Sequence, residues 1–229
     1  MKIIYVRHGQ PDYKTDTLTQ LGHLHAEAAA ECLTAYNITE IYSSPLGRAR
    51  ETAEHTARRL GLEVVTVDSF RELGWGDPNA EPGAKKLPPW EYVHHFAKIG
   101  QSITDPDWTQ KEPWCHDKVV ARVQAAQEGF DAFLEQHGYR RTGDSYAVTE
   151  AASDKTIAIF GHGGHSTAIF AHMMHMPFPL ACQLFRLDFT NISVFQFNGE
   201  AGLFTVPRFD MIGNAEHIRN LSVENAFME

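Results

Sequence analysis

The sequence predicts an α/β fold, a three-layer α/β/α sandwich around a mostly parallel sheet, with a helical, aromatic-rich insertion. Short β-branched runs alternate along the chain with segments whose apolar residues recur every three or four positions, as strands and helices do in such folds. Residues 75–114 break this alternation and contain all four tryptophans. We therefore expect one domain over residues 1–229, with an inserted cap at about residues 75–140.

The opening of the chain carries signals for a strand, a helix and a second strand. Residues 2–6 form a nearly continuous apolar run, which is typical of a strand covered on both faces. Apolar residues recur at helical spacing after Thr19, whose hydroxyl can cap the first free amides, so we expect a helix to about residue 36. Residues 41–42 then predict a short second strand.

The next unit repeats this order. Ser44 and Pro45 predict the start of a helix, because serine can cap free amides and proline at the first helical position loses no hydrogen bond. Gly61 can end that helix in the left-handed conformation. Residues 63–67 predict a third strand.

The second half of the chain returns to the same pattern after the insertion. Residues 119–137 predict a helix that ends at Gly138, and a polar stretch follows it. Residues 156–160 predict a doubly buried strand, and a helix through Met174 comes next. Three later apolar runs predict closing strands: residues 184–189, 192–197 and 203–209.

The charge balance limits the class of partner. The chain has 20 lysine and arginine residues against 29 aspartate and glutamate residues, a formal charge of −9, and no basic block stands out. Such a field repels nucleic acid and anionic membranes, so we expect neither as a partner. Cys32, Cys115 and Cys182 are odd in number and far apart, which favours a reducing cytoplasm. We expect no signal peptide and no membrane helix, since no apolar run is long enough.

Basic and imidazole side chains fall where three predicted strands end. Arg7, His8 and Gly9 follow the first strand, Arg48 lies just beyond the second, and residues 161–163 (Gly-His-Gly) follow a later strand. Because ligands of parallel sheets bind at the carboxyl ends of the strands, we expect these groups to converge on one crevice.

These residue types suit a phosphate group. The guanidiniums of Arg7 and Arg48 each present a planar fork that matches two phosphate oxygens. With an imidazole they balance the phosphate charge of about −1.5 to −2, so we expect no metal and no cofactor. Gly9 and Gly163 lack side chains, which lets backbone amides approach an anion closely.

Two histidines and one acid can carry out the hydrolysis of a phosphate ester. The imidazole of His8 can attack phosphorus, while His162 can donate a hydrogen bond to the equatorial oxygens. The leaving alkoxide needs a proton, and Glu72, just past the third predicted strand, is the best-placed carboxyl. Asp77 or an acid of the insertion is the alternative donor.

Four motifs together resemble the histidine phosphatase superfamily, also called the phosphoglycerate mutase-like family. They stand in the family's order over about 160 residues, which makes the match far more specific than one short motif. The motifs are RHG at residues 7–9, LTQLG at 18–22, SSPLGRARETAE at 43–54 and FGHGG at 160–164.

The resemblance implies a role for each candidate residue. His8 is the phosphorylated nucleophile, Arg7, Arg48 and His162 form the phosphate pocket, and Glu72 is the proton donor. Position 48 is preferred to the next arginine because the family pattern places Arg-Ala after Ser-Pro-Leu-x.

The residues after the first motif favour hydrolysis over phosphate shuttling. Mutases of the family typically continue with Gln-Ser-x-Trp-Asn, whereas residues 10–14 here are Gln-Pro-Asp-Tyr-Lys. We therefore predict a metal-independent phosphatase that acts on a small phosphorylated metabolite. Two alternatives stay open: a mutase of the same family, and a non-catalytic phospho-ligand sensor.

Further features of the sequence carry two interpretations each. The insertion tryptophans form either a lid over the substrate or a small satellite core. The pairs His162/His165 and His172/His175 have a spacing that can hold a metal, but we favour the non-metal interpretation because only His162 has glycine-flanked strand-end context. An exposed apolar surface on the insertion would support a homodimer.

Overall fold

The computed structural model describes residues 1–79 and 87–222. Its helices are α1 (Gln20–Leu33), α2 (Gly47–Leu60), α3 (Pro89–Lys98), α4 (Val119–Gln136), α5 (Gly163–Met173) and α6 (Phe178–Leu184). Its strands are β1 (Lys2–Arg7), β2 (Pro11–Asp12), β3 (Thr17–Leu18), β4 (Glu40–Ser43), β5 (Val64–Thr66), β6 (Tyr139–Thr142), β7 (Ser145–Val148), β8 (Thr156–Gly161), β9 (Ile192–Gln196), β10 (Phe204–Thr205) and β11 (Arg208–Asn214).

The central sheet has the order β11-β9-β1-β8-β4-β5. Its strands β1, β8, β4 and β5 pair in parallel, and β9 and β11 pair antiparallel at one edge. The predicted α/β class with a mostly parallel sheet is confirmed.

Each face of the sheet has its own core, which makes the fold three-layered. Ile3 and Tyr5 of β1 pack into one cluster with aromatic side chains of α4 and α5. The alternate residues Ile4 and Val6 pack into a second cluster with α1 and α2. Because successive strand side chains point to opposite faces, the apolar run of β1 serves both cores.

The helix ends follow two of the predicted signals. Thr19 caps α1, where its hydroxyl accepts a hydrogen bond from the amide of Gly22 at 3.0 Å. Gly61 ends α2 with a φ of 68°, the left-handed conformation that glycine adopts without steric penalty.

The predicted start of α2, with Pro45 as the first helical residue, is wrong by two residues. The helix begins at Gly47, and the cap comes from a distant segment, since Oδ2 of Asp16 accepts the Gly47 amide at 2.7 Å. A carboxylate suits this position because it satisfies a free amide and lies at the positive end of the helix. Ser44 instead reaches toward β8.

Three predictions for the second half need correction. Residues 184–189 form no strand: α6 ends at Leu184 and the chain then runs irregularly. The predicted strand at 203–209 is interrupted between β10 and β11. The polar stretch after α4 holds the β6–β7 hairpin, whose Tyr139, Tyr146 and Val148 are buried.

The predicted insertion has a core of its own. Val93 and Phe96 of α3, Trp114, and Val119 and Val123 of α4 are buried in a third cluster that also includes Phe178 of α6. Strands of the central sheet lie outside residues 75–140. The division into one domain with a cap stays a prediction.

In the described part of the chain, no helix combines the length and apolar character that a membrane crossing requires. All three cysteines lie within that part, and each is free.

Candidate active site

Strand register brings two predicted histidines side by side. β1 and β8 are parallel neighbours that pair Arg7 with Gly161, so His8 and His162 leave the sheet at the same edge. Their ring centroids lie 5.2 Å apart. Both side chains are buried, at 1% and 0% exposure. The two imidazoles, which are 154 positions apart in the sequence, therefore lie next to each other in the folded chain.

Two hydrogen bonds define the tautomer of His8. Its Nδ1 lies 2.7 Å from the carbonyl oxygen of Gly9, which can only accept, so Nδ1 carries the proton. Nε of Arg48 donates to Nε2 of His8 at 3.3 Å, so Nε2 carries the lone pair. Burial, with the positive charges of Arg7 and Arg48, lowers the pKa of His8 to about 3. The ring is therefore neutral near pH 7, and its unprotonated Nε2 is able to act as a nucleophile.

Arg48 is held between His8 and Asp16. Its Nη1 donates to Oδ1 of Asp16, while its Nε faces His8. The Arg48 side chain is 10% exposed. The Arg50 side chain is half exposed, and its Nη2 lies 3.8 Å from Oε1 of Glu54 on the same helix. The structure thus brings Arg48 to the site and leaves Arg50 on the surface.

His162 is oriented by Ser44. The Oγ of Ser44 lies 2.8 Å from Nε2 of His162 and accepts the amide of Leu46 at 3.3 Å. Burial, together with the positive charges of Arg48 and Arg7, lowers the pKa of His162, so the ring is neutral near pH 7. A hydroxyl that donates to Nε2 places the ring proton on Nδ1, where it serves as a donor.

Unpartnered polar atoms lie at this edge of the sheet. Nε of Arg7 and Nδ1 of His162 are buried and have no hydrogen-bond partner among the residues that the structure describes. Nη1 of Arg7 donates to the carbonyl of Leu187 at 2.5 Å, and its Cζ lies 4.4 Å from the centre of the Phe189 ring. Since buried polar groups are nearly always satisfied, these two donors favour an anionic ligand.

Glu72 sits at the N-terminus of α5. Its Oε1 accepts hydrogen bonds from the amides of Leu73 at 2.9 Å and His165 at 3.0 Å. Among the described residues, its Oε2 accepts one hydrogen bond, from the amide of Gly164 at 3.3 Å. Burial raises the pKa of Glu72, and the amides and the charge of Arg7 oppose that shift only in part. Oε2, with fewer bonds, is the oxygen better placed to hold a proton.

A cavity of about 850 Å³ lies at this edge of the sheet, and His8 and His162 are not among its described lining residues. Glu72, Arg7 and Arg48 lie on its wall. Asp77, the alternative proton donor, is not among its described lining residues and accepts the amide of Asn79 instead. The remaining described lining residues are Tyr13, Leu73, Trp75, Trp90, Gly163, Gly164, Thr167, Cys182, Gln183, Leu184, Phe185, Arg186, Leu187 and Asp188.

The profile of the histidine phosphatase superfamily (branch 1) matches residues 3–208, most of the chain. The chain belongs to the histidine phosphatase superfamily. The resemblance noted from the four motifs is confirmed.

Curated relatives of this superfamily member include both phosphotransferases and phosphatases. It is 29% identical over 170 residues to a 2,3-bisphosphoglycerate-dependent phosphoglycerate mutase of Thermoplasma acidophilum, covering 69% of this chain and 82% of the relative. It is 28% identical over 188 residues to glucosyl-3-phosphoglycerate phosphatase of Mycobacterium tuberculosis, covering 77% of this chain and 76% of the relative.

Solved structures show the same fold. Phosphoserine phosphatase from Entamoeba histolytica, in complex with 3-phosphoglyceric acid, superposes with a TM-score of 0.64 at 22% identity, over 95% of this chain and 98% of that one. The mycobacterial glucosyl-3-phosphoglycerate phosphatase with inorganic phosphate superposes with a TM-score of 0.63 at 22% identity, over 93% and 97% of the two chains. At these identities the likeness describes the architecture alone.

The two predicted glycines differ in their surroundings within this histidine phosphatase fold. The Gly9 amide donates to Oγ1 of Thr52 at 3.0 Å, and a Cβ at position 9 would lie 2.5 Å from the Gly22 carbonyl oxygen. Gly9 therefore permits close packing against α1, and its amide is already bonded. Gly163 begins α5 and lines the cavity, and a Cβ there would lie 3.3 Å from Nε of Arg7.

Sequence reasoning missed Ser44 and Asp16 as site residues. Ser44 lies inside the quoted motif, but its pattern there predicted a helix cap rather than a histidine partner. Asp16 precedes β3 and carries no spacing signal, since its contacts to Gly47 and Arg48 cross 31 and 32 residues. Both roles depend on long-range packing, of β4 beside β8 for Ser44 and of α2 beside β3 for Asp16.

The other histidines of the two proposed pairs bond elsewhere. Nδ1 of His165 lies 2.9 Å from the hydroxyl of Tyr5, beneath the sheet edge. Nε2 of His172 lies 2.7 Å from Asp131, and His175 contacts the carbonyl of Asp144 at 3.1 Å.

The four tryptophans divide between the two interpretations. Trp75 and Trp90 line the cavity, with ring centroids 5.3 Å apart in an edge-to-face contact. Trp114 is buried in the cluster between α3 and α4, and Trp108 packs against it. The insertion therefore forms a satellite core and also presents an aromatic wall.

Proposed function

We propose that this chain is a phosphatase that hydrolyses a small phosphomonoester through a phosphohistidine on His8. The observation that carries the proposal is the unprotonated Nε2 of the neutral His8 ring, which accepts a hydrogen bond from Arg48. The ring centroids of His8 and His162 lie 5.2 Å apart. Two guanidiniums and the relatives' phosphoryl chemistry support it. Arg7, Arg48, His162 and Gly163 would hold the phosphate, and no step requires a metal or cofactor.

In the first step, Nε2 of His8 attacks phosphorus as the ester oxygen leaves. The Nε2–P bond forms, the P–O bond breaks, and Glu72 gives its proton to the leaving oxygen. Charge that gathers on the equatorial oxygens is stabilised by Arg7, Arg48 and Nδ1–H of His162.

In the second step, water attacks the phosphorus of the phosphohistidine. The Glu72 carboxylate formed in the first step takes a proton from this water, the N–P bond breaks, and inorganic phosphate leaves. His8 and Glu72 thereby return to their starting protonation states.

A mutase is the second candidate, because the phosphoglycerate mutase of Thermoplasma acidophilum is one of the relatives. A mutase would require a bisphosphorylated primer and would move phosphate between hydroxyls without net release.

A panel of phosphate esters with assays for inorganic phosphate tests the proposal. We expect release by the wild type and no release by His8→Ala, with an unchanged circular dichroism spectrum. Wild-type turnover in His8→Ala would exclude His8 as nucleophile. A ligand sensor would instead show a raised melting temperature with vanadate and no cleavage of any ester.

Three further expectations accompany this proposal. The free cysteines favour a reducing cytoplasm, and the charge of −9 disfavours nucleic acid and membrane partners. Exposed apolar residues of the insertion, such as Trp90 and Ile99, would support a homodimer, which sedimentation equilibrium would detect.

A further inference from the structure

The cavity extends well beyond the proposed phosphate position. Its volume of about 850 Å³ falls in the range of pockets that enclose drug-sized ligands. Arg7, Arg48 and Gly163 mark the end where the phosphate would sit. The rest of the space is available to the alcohol part of the ester.

This remaining space has a largely apolar lining. Trp75 and Trp90 form one wall, and Leu73, Leu184 and Leu187 contribute further apolar surface. Trp90 is 43% exposed and Leu184 is 58% exposed, so both present apolar area that a ligand can cover. Covering such surface is favourable by about 25 cal/mol per Å².

Among the described lining residues outside the phosphate end, the positive charge is that of Arg186, whose side chain is 88% exposed. Arg7 and Arg48 belong to the phosphate end, and Nε of Arg186 is 3.1 Å from Asp188. A substrate carboxylate in this space would meet the Asp188 carboxylate, and pairing with the solvated guanidinium of Arg186 would strengthen binding at most about fivefold, which is about 1 kcal/mol.

We propose that the alcohol part of the substrate is bulky and uncharged, with an aromatic or other extended apolar face, rather than a small acid. This inference rests on the proposed phosphatase function and names its substrate class. Edge-to-face contact with the Trp75 and Trp90 rings would orient an aromatic group.

The test compares two esters in which the same propyl chain joins the phosphate to a phenyl or a carboxylate end: 3-phenylpropyl phosphate and 4-phosphonooxybutanoate. The leaving groups have similar chemistry, so the ratio of their kcat/KM values reports on binding of the phenyl or carboxylate end. We expect the phenyl ester to be favoured by about tenfold or more. A ratio of one or below would overturn the inference.

A pair of variants locates the effect. Trp90→Ala should lower kcat/KM for the phenyl ester by about tenfold. The ratio of kcat/KM between the phenyl ester and the acid should therefore fall. Phe204→Ala removes an aromatic ring that is 63% exposed and lies outside the cavity, and it should leave the ratio unchanged. An unchanged ratio in Trp90→Ala would overturn the assignment of this wall.

Failure of the inference and failure of the proposed function give different results. If the acid is cleaved as fast as the phenyl ester and His8→Ala is inactive, the function stands and the substrate class is wrong. If the wild type cleaves neither these esters nor p-nitrophenyl phosphate, the phosphatase function itself fails and the inference falls with it.

Discussion

Nε of Arg48 donates to Nε2 of His8 over 3.3 Å, so the same guanidinium both holds the nucleophile and faces the cavity. When a phosphate binds, Arg48 would donate its hydrogen bonds to the phosphate oxygens instead of to His8. The lone pair on Nε2 of His8 would then be free to attack. The contact occupies the Nε2 lone pair, and burial with the charges of Arg7 and Arg48 keeps the imidazole unprotonated before the substrate binds.

We predict that Arg48→Lys lowers kcat/KM by about 10²–10³, because lysine keeps the charge but loses the planar fork and the bond to His8. Steady-state kinetics with p-nitrophenyl phosphate would measure this. Arg50→Lys, two positions along the same helix on the exposed side, is the matched control and should match the wild type. Equal losses in both variants would contradict the assignment.

The hydroxyl of Ser44 is predicted to set the tautomer of His162. Ser44→Ala should reduce kcat about tenfold with a smaller change in KM, since the donor at Nδ1 acts mainly as charge develops on the phosphate. The control is Ser43→Ala, since this neighbour is equally buried and its Oγ bonds a backbone carbonyl instead. If both variants lose kcat alike, the serine role is structural only.

Local patterns predicted the elements that the site needs, and topology completed it. The apolar runs of β1 and β8 and the glycine-flanked motifs placed His8 and His162 at strand ends. The parallel register then makes those ends adjacent. An alternating strand and helix pattern is enough to predict that convergence, because parallel strands share one carboxyl edge.

The misses share a physical cause, which is long-range contact. Residues 184–189 are apolar enough for a strand, but Leu187 and Leu184 instead line the cavity, and Arg7 takes the Leu187 carbonyl as acceptor. The cap of α2 comes from Asp16, far away in sequence. Local propensity cannot encode partners that only the folded chain supplies.

Gly9→Ala is expected to destabilise the fold. Its Cβ would lie 2.5 Å from the Gly22 carbonyl oxygen, so β1 and α1 must separate, at a cost of about 1–3 kcal/mol in the free energy of unfolding. Urea denaturation would measure it. In Gly74→Ala the three atoms nearest the new Cβ all belong to the flexible end of Lys118, so this control should change far less. Similar midpoints for the two variants would contradict the packing role.

The last prediction concerns Glu72 and the pH dependence of kcat/KM. The pKa of His8 is about 3, so the nucleophile is neutral above that pH. Burial raises the pKa of Glu72, so its proton is present below that raised pKa and lost as pH rises through it. For an alkyl ester, kcat/KM should therefore fall on the alkaline side, and Glu72→Gln should remove that limb.

The leaving group separates proton donation from other roles of Glu72. Glu72→Gln should lower kcat/KM by about 10²–10⁴ for an alkyl phosphate, whose alkoxide needs a proton. The loss should be much smaller for p-nitrophenyl phosphate, because its phenolate leaves without one. Asp188→Asn changes the other described acid of the cavity and should affect both esters equally. Equal losses for both esters in Glu72→Gln would exclude Glu72 as the proton donor. Its role would then be limited to accepting backbone hydrogen bonds at the start of α5, because the loss of such contacts does not depend on the leaving group.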